Sequence, residues 1–448
     1  MTYLPFFISF LIGFFLIGIL SHKEGRIHLA KHILLASGIG LGISGQFTFL
    51  SYIFFDQLNI MFIQALNYSL LIILGILYFI LYFRRQEKIS TQLTVSGRQL
   101  LPLIAVVILS LPLWSLTQFY LYGGWDAWST WNLKARFLFL GDEDWRRLFD
   151  PVLWRSSPHY PLLLPLINVW GWTFSSAENL HVPAFCAYLF TFLTVGMMYI
   201  FLQDMTKSRW AFITVIVFFT LPFFNKISLS QYADNVVGYY LITAILCLIT
   251  AKSEKRTSFA FLSGLSLGLL AFAKPEGFVA AAILGVLAIP YCCWQQTTEK
   301  RRTLAIPFVL GAAVSLVIPF IFYAFFAPEN QTMINGLVST AKPSTFYRLK
   351  VIVSFYLVEL VSPNWNGLWV ILLLGLLFSW KRCFNNTTII IPIFLIIYTG
   401  IITAYYFVNT YFTIDWWLQV SLHRILFSVI PVVMFWVFFS LWKEKKEG

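Results

Sequence analysis

The sequence predicts an all-α polytopic membrane protein, and three observations carry that prediction. Hydrophobic residues make up 59% of the 448-residue chain. Charged residues make up only 11%, against about 25% in a soluble domain. Mean hydropathy is +0.77, and apolar runs of spanning length recur from one end of the chain to the other. At about 20 residues per span, the chain has room for a dozen or so helices and little else. A net charge of +12 would suggest nucleic acid in a soluble protein. Here basic loops on the cytoplasmic side explain it, and no nucleic-acid partner is expected.

Taken in order, the apolar runs fall near 3–20, 33–55, 62–84, 101–122, 182–204, 210–225, 235–251, 258–273, 277–294, 303–327, 366–380, 388–407 and 422–442. They predict about 13 transmembrane helices. The first run lacks a basic n-region and a small-residue cleavage site, so it reads as a retained span. Most of the 31 basic residues lie in alternate loops, including Lys23, Lys207, Arg209, Lys252, Lys255, Arg256, Lys381 and Arg382. The positive-inside rule then places the C-terminus in the cytoplasm and the N-terminus and the 123–181 loop outside. A multi-pass plasma (inner) membrane protein is the expectation.

Two further apolar stretches would break this alternation if they crossed. "YPLLLPLINVWGWTF" (160–174) carries Pro161 and Pro165, and "VIVSFYLVELVSPNW" (351–365) breaks at Pro363. Both are read as helices lying at, or dipping into, the outer interface. The five cysteines lack metal-ligand spacing with histidine and read as small core residues. The basic, polar stretch 84–99 marks off an N-terminal three-helix addition, 1–90. A core with its outer loop is expected over 100–294, and completing helices over 295–448.

The outer face gathers the candidate site residues. In "GGWDAWSTWNLKARFLF", Trp125, Trp128, Trp131, Ala135 and Leu138 recur at three- and four-residue steps. That spacing predicts a helix lying flat on the membrane. The tryptophans by themselves fit an interfacial aromatic belt. Asp126 is the first acid after the span, and it can serve either as a general base or as a helix N-cap. Asp142 and Asp144 form a weak candidate for a divalent cation, and a solvated turn explains them as well. His159 and Tyr160 lie in a proline-stiffened turn, and Asp234 heads a span. Lys274 sits in a tight hairpin, and His423 and Arg424 open the last span. Each alone reads as a cap or an ion pair. Together they mark a one-sided site whose basic groups suit a lipid phosphate. The cytoplasmic half reads as closed and apolar.

In order and spacing these segments resemble the GT-C glycosyltransferases, in the branch of protein O-mannosyltransferases, the lipid A aminoarabinose transferase and related bacterial enzymes. "GGWDAWSTW" is similar to that family's acidic outer-loop start, and "SPHYPLLLP" to its proline-rich segment before the second juxtamembrane helix. "QYADNVVGYYLI" is similar to its aspartate-headed core helix, "AFAKPEGF" to its "TKxEG" hairpin and "HRILFSVIP" to its late arginine-bearing span. The likeness covers roughly residues 100–294 and the last span.

The resemblance implies a GT-C-like bundle that moves one sugar from a polyprenyl-phosphate donor lipid to a hydroxyl of a glycan, lipid or protein acceptor. It implies Asp126 as general base and Lys274, Arg424, His159 and Lys134 around the donor phosphate. Asp234, Trp125, Trp128, Tyr160 and His423 would meet sugar or acceptor. A phosphate leaving group held by fixed cations needs no cofactor, and a metal is not favoured. Two alternatives stay open: an O-antigen ligase or polymerase using diphosphate-linked donors, and a transporter or flippase of envelope glycolipids. A polar path through both leaflets would mark the second.

Overall fold

The computed structural model describes residues 2–24, 27–83, 97–175, 177–294, 298–338 and 345–442. The polar stretch 84–99, up to residue 96, and the C-terminal 443–448 lie outside them. No strand occurs among the described residues, and the chain is an all-α, multi-pass membrane protein.

Helices α1 (Leu4–Ser21), α2 (Leu29–Phe55), α3 (Ile60–Phe83) and α4 (Gly97–Phe119) lead to a segment of short helical pieces. That segment holds α5 (Asn132–Leu140) and α6 (Leu163–Trp172). Next come α7 (His181–Thr206), α8 (Phe212–Thr220) and α9 (Pro222–Leu229), then α10 (Asp234–Glu254), α11 (Thr257–Ala271) and α12 (Pro275–Cys293). The rest is α13 (Thr298–Phe325), α14 (Gln331–Val338), α15 (Thr345–Val361), α16 (Leu368–Cys383), α17 (Ile390–Val408) and α18 (Ile414–Trp442).

Every predicted apolar run falls on a helix or helix pair. Among the described residues, nine helices are long and apolar enough, or ten if α8 and α9, bent by 75° at Leu221, form one broken span. Helices α11 and α16 are shorter, at 15 and 16 residues, and only the Val106–Phe119 part of α4 enters this count. Helix α11 has 15 residues, which at about 1.5 Å each is short of a hydrocarbon core of roughly 30 Å. It is instead packed between α10, α12 and α13, with most of its residues buried. At Gly264 an added Cβ would overlap the Phe308 carbonyl oxygen of α13.

The two extra apolar segments behave differently from each other. All ten residues of α6 are buried, so this helix lies inside the protein and not on the lipid surface. A helix apolar on every side is stable only when it is packed on every side. Helix α15 stops at Val361, ahead of Pro363, as the steric restriction before proline requires. Cys186, Cys247, Cys292 and Cys383 are buried, and all five cysteines are free.

The N-terminal helices share the core of the rest. Tyr239 and Tyr240 of α10 donate to the carbonyls of Leu34 (2.9 Å) and Gly38 (2.8 Å) on α2. Gln46 of α2 donates to the Ser315 carbonyl of α13 at 2.8 Å. These bonds close the middle of the bundle with backbone and phenol, while charge collects at its two ends.

One end is basic. There Lys31 pairs with Asp204, and the Glu24 carboxylate accepts from the Ser258 N–H at 3.0 Å. Lys252 lies over the Tyr291 ring at 3.9 Å. Lys31 and Arg256 are buried, so this end is not the purely apolar closure its sequence suggests. The other end, about 30 Å away along the 21 residues of α10, carries the candidate site.

Candidate functional site

The site is assembled from four chain segments, three of them turns at the same end of the bundle and the fourth the continuous helix α18, which carries Arg424 within its length. The first turn needs two glycines. Gly123 has φ +65, the left-handed region that a side chain resists. At Gly124 an added Cβ would overlap the Tyr232 hydroxyl. The chain then starts a helix at Trp125 and immediately takes a π-helical turn over Ala127–Trp131, with Asn132 N–H closing onto the Ala127 carbonyl. Such a turn inserts one extra residue and recurs at functional sites. It also breaks the expected stripe. Trp131, Ala135 and Leu138 are fully buried, whereas Trp125 and Trp128 are exposed and pack on each other, ring centroids 4.4 Å apart. The five residues do not share one face.

Asp126 opens this turn without capping it, since its side chain makes no cap hydrogen bond. Its Oδ2 instead accepts from Arg424 Nη1 of α18 at 2.6 Å. Arg424 Nη2 donates to Asp234 Oδ2 at 2.8 Å. Asp234 Oδ1 accepts from Lys274 Nζ at 3.2 Å, and Lys274 also lies 3.2 Å from Glu276 Oε1. The result is one continuous chain of five alternating charges. Asp234 is fully buried, Lys274 and Arg424 nearly so, and Asp126 keeps 28% exposure.

Local sequence explains each placement. Pro275 begins α12, where its missing N–H costs nothing, and Lys274 just before it is extended, which projects its ammonium across to α10. Asp234 lies in the first turn of α10, where the helix dipole favours an acid. Gln231, at φ +58, joins the two loops. Its amide donates to the Leu121 carbonyl (2.8 Å), and its Oε1 accepts from Asn132 (2.8 Å). The Tyr232 ring lies under the Arg424 guanidinium at 4.5 Å, and its hydroxyl accepts from the Asp126 N–H at 3.4 Å. Burial raises the Tyr232 phenol above its ordinary pKa.

The structure thus brings together Asp126, Asp234, Lys274 and Arg424 from the residues expected by sequence. Tyr160 stands beside them, within electrostatic reach of Glu276, Arg424 and Asp126. The others are placed differently. Lys134 is buried, and its ammonium donates to the carbonyls of Ser157 (2.7 Å) and Tyr160 (3.1 Å). It clamps the proline-rich turn, so its donors face backbone and not the ion chain. Burial, with Lys134 nearby, pushes the His159 imidazole down to about 4, so it carries no positive charge at neutral pH. His423 packs edge-on against Phe223, ring centroids 4.8 Å apart, and is not a member of the ion chain. Trp125 and Trp128 form the exposed rim. Asp142 and Asp144 are exposed, and Asp144 pairs with Arg147 at 3.1 Å. Among the described residues no group of three or more His, Cys, Asp or Glu side chains is gathered as a metal centre would need.

Sequence reasoning passed over Glu276 and Tyr232, although both lie inside segments it singled out. It also passed over Gln231 and Asn132. Lys226 is exposed on α9 and within electrostatic reach of His423.

Fold and site together define a multi-pass α-helical membrane protein with a buried ion chain at one end of the bundle. No protein-family model matches the chain, and neither a curated protein nor a solved structure gives a match.

Proposed function

We propose that the chain is a membrane glycosyltransferase of the GT-C kind, acting on the extracytoplasmic face of the plasma membrane. It would move one sugar from a polyprenyl-phosphate carrier to an acceptor hydroxyl. The observation that supports this most is the state of Asp126. It is not spent as a helix cap, it sits at the partly exposed edge of a buried ion chain, and its Oδ1 has no hydrogen-bond partner among the described residues.

In this reading Asp126 Oδ2 occupies the place on Arg424 that a donor phosphate oxygen would take. Donor binding exchanges one anion for the other and releases the carboxylate toward the acceptor. The acceptor oxygen then bonds to the anomeric carbon as the bond from that carbon to the phosphate oxygen breaks. The bonding pair leaves with the phosphate, and the hydroxyl proton passes to Asp126. The second negative charge developing on the phosphate faces Arg424, whose position is already fixed by Asp234 and Tyr232, so little reorganisation is needed. The closed middle of α10, where Tyr239 and Tyr240 bond to α2 carbonyls, favours chemistry at one end over a path through the bundle.

The test is mass analysis of envelope glycans and lipids from cells carrying the wild-type chain, D126N, or neither. One hexose- or pentose-sized increment present only with the wild type is the expected result. Identical glycans in all three would overturn the reading.

A further inference from the structure

Several buried polar atoms at the site end have no hydrogen-bond partner among the described residues: Trp131 Nε1, Arg424 Nε, Glu276 Oε2 and Tyr323 Oη. Tyr160 connects them. Its ring packs against Trp131 with centroids 5.8 Å apart and an interplanar angle of 33°. It lies within electrostatic reach of Arg424 and Glu276 and of Tyr323 on α13. Native proteins rarely leave such groups unpaired, and here they collect around one aromatic side chain beside the ion chain.

Their chemistry selects the ligand. A carboxylate oxygen only accepts, an indole N–H and a guanidinium Nε–H only donate, and a phenol does either. A hydroxyl can meet all of them, because it both donates and accepts. A phosphate cannot meet Glu276, which has no proton to give it. The charges agree, since Asp126, Asp234 and Glu276 outnumber Lys274 and Arg424. Flat rings of Trp131 and Tyr160 supply apolar walls of the kind a sugar ring's C–H face packs on.

We infer that Glu276, Trp131, Tyr160 and Tyr323 form the pocket for the transferred sugar, a neutral hydroxyl-bearing ring with one hydroxyl donating to Glu276 Oε2. This rests on the transferase reading and moves the sugar inward from the exposed Trp125–Trp128 pair. The phosphate then lies on the Arg424 side, away from Glu276.

Binding by the full chain in lipid nanodiscs tests it, read by tryptophan fluorescence. The probes are farnesyl phosphate alone and farnesyl-phosphoryl glucose, galactose, mannose and glucosamine. The expected result is saturable binding of at least one neutral sugar lipid. E276Q should weaken that binding about tenfold, a loss typical of a hydrogen bond to a charged group, and leave farnesyl phosphate unweakened. Y323F, which removes only a hydroxyl, should weaken the same sugar lipid to a smaller degree. Equal weakening of both lipids by E276Q, or none, would overturn the pocket while leaving the transferase reading standing. Binding confined to the glucosamine lipid would overturn the neutral-ring assignment. Binding of neither lipid by the wild type would overturn the transferase reading and the pocket with it.

Discussion

Arg424 and Asp126 meet at 2.6 Å across 298 residues of chain. The same guanidinium holds Asp234 from a third segment, so one side chain ties the turn at 123–126, the head of α10 and the last helix together. A membrane-embedded charge is costly and is retained where it has work to do.

Asp126→Asn keeps the shape of the side chain and still accepts from Arg424 through its amide oxygen. Transfer should fall by about 10²–10⁴-fold, the usual contribution of a general base. Thermal unfolding in detergent should change little. Near-normal transfer by D126N, measured as sugar incorporation into envelope acceptors, would remove Asp126 from the chemistry.

Asp234→Asn acts on the structure instead. It leaves Arg424 and Lys274 buried, with one fewer negative charge between them. Breaking a buried pair from one side costs about 3–5 kcal/mol, and the unfolding midpoint should drop by several degrees. In a double-mutant cycle with Arg424→Met, the two losses should be strongly non-additive. Simple additivity would mean that the two side chains do not stabilise each other.

Gly124→Ala puts a methyl group where the Tyr232 hydroxyl now sits. The phenol must swing away, the Arg424 guanidinium loses the ring beneath it, and transfer should fall while the bundle still folds. Pairing G124A with Tyr232→Phe, which removes the hydroxyl nearest the new methyl and keeps a ring beneath Arg424, should restore part of the activity. A double mutant no better than G124A alone would place the damage elsewhere in the turn.

His159 gives a pH signature. Its folded-state value is about 4 against 6.5 for the free imidazole. Between those values the unfolded chain binds the extra proton and the folded chain does not, so stability falls as pH drops from about 6.5 to about 4 and is flat above. With solvent screening at this partly buried side chain, the loss is on the order of 2 kcal/mol. His159→Gln should flatten that stretch of the midpoint-versus-pH curve. An unchanged slope would assign the acid sensitivity to other groups.

The all-α membrane class was legible because it is written in bulk composition, and helix positions were legible because apolar runs must be about as long as a bilayer is thick. The number of spans was less so. Helix α11 is apolar throughout yet short, and only the packing of α10, α12 and α13 around it shows why. In the site, Asp126, Asp234, Lys274 and Arg424 could be found as charges placed where apolar runs end. Their pairing could not, because partners 190 and 298 residues apart leave no periodic trace. Lys134 looked like a free cation because its partners are backbone carbonyls, which every residue carries. Glu276 lies two residues beyond Lys274 in the same hairpin, and in the sequence it is indistinguishable from an ordinary acid in the first turn of a helix. Tyr323 sits within an apolar helix and gave no signal of any kind.

The π-helical turn at Ala127–Trp131 absorbs one residue that an α-helix would not need there. Five residues at about 4.4 per turn cover nearly the same rotation as four at about 3.6. Deleting a single position inside it, Ser129 for instance, therefore leaves Asp126 on nearly the same side of the helix. Deleting one residue of the regular helix α5 instead swings everything before it by roughly 100° about the helix axis, and Asp126 turns away from Arg424 with every charged residue of the site still in place. A substitution scan would miss this contrast, and a pair of one-residue deletions would expose it.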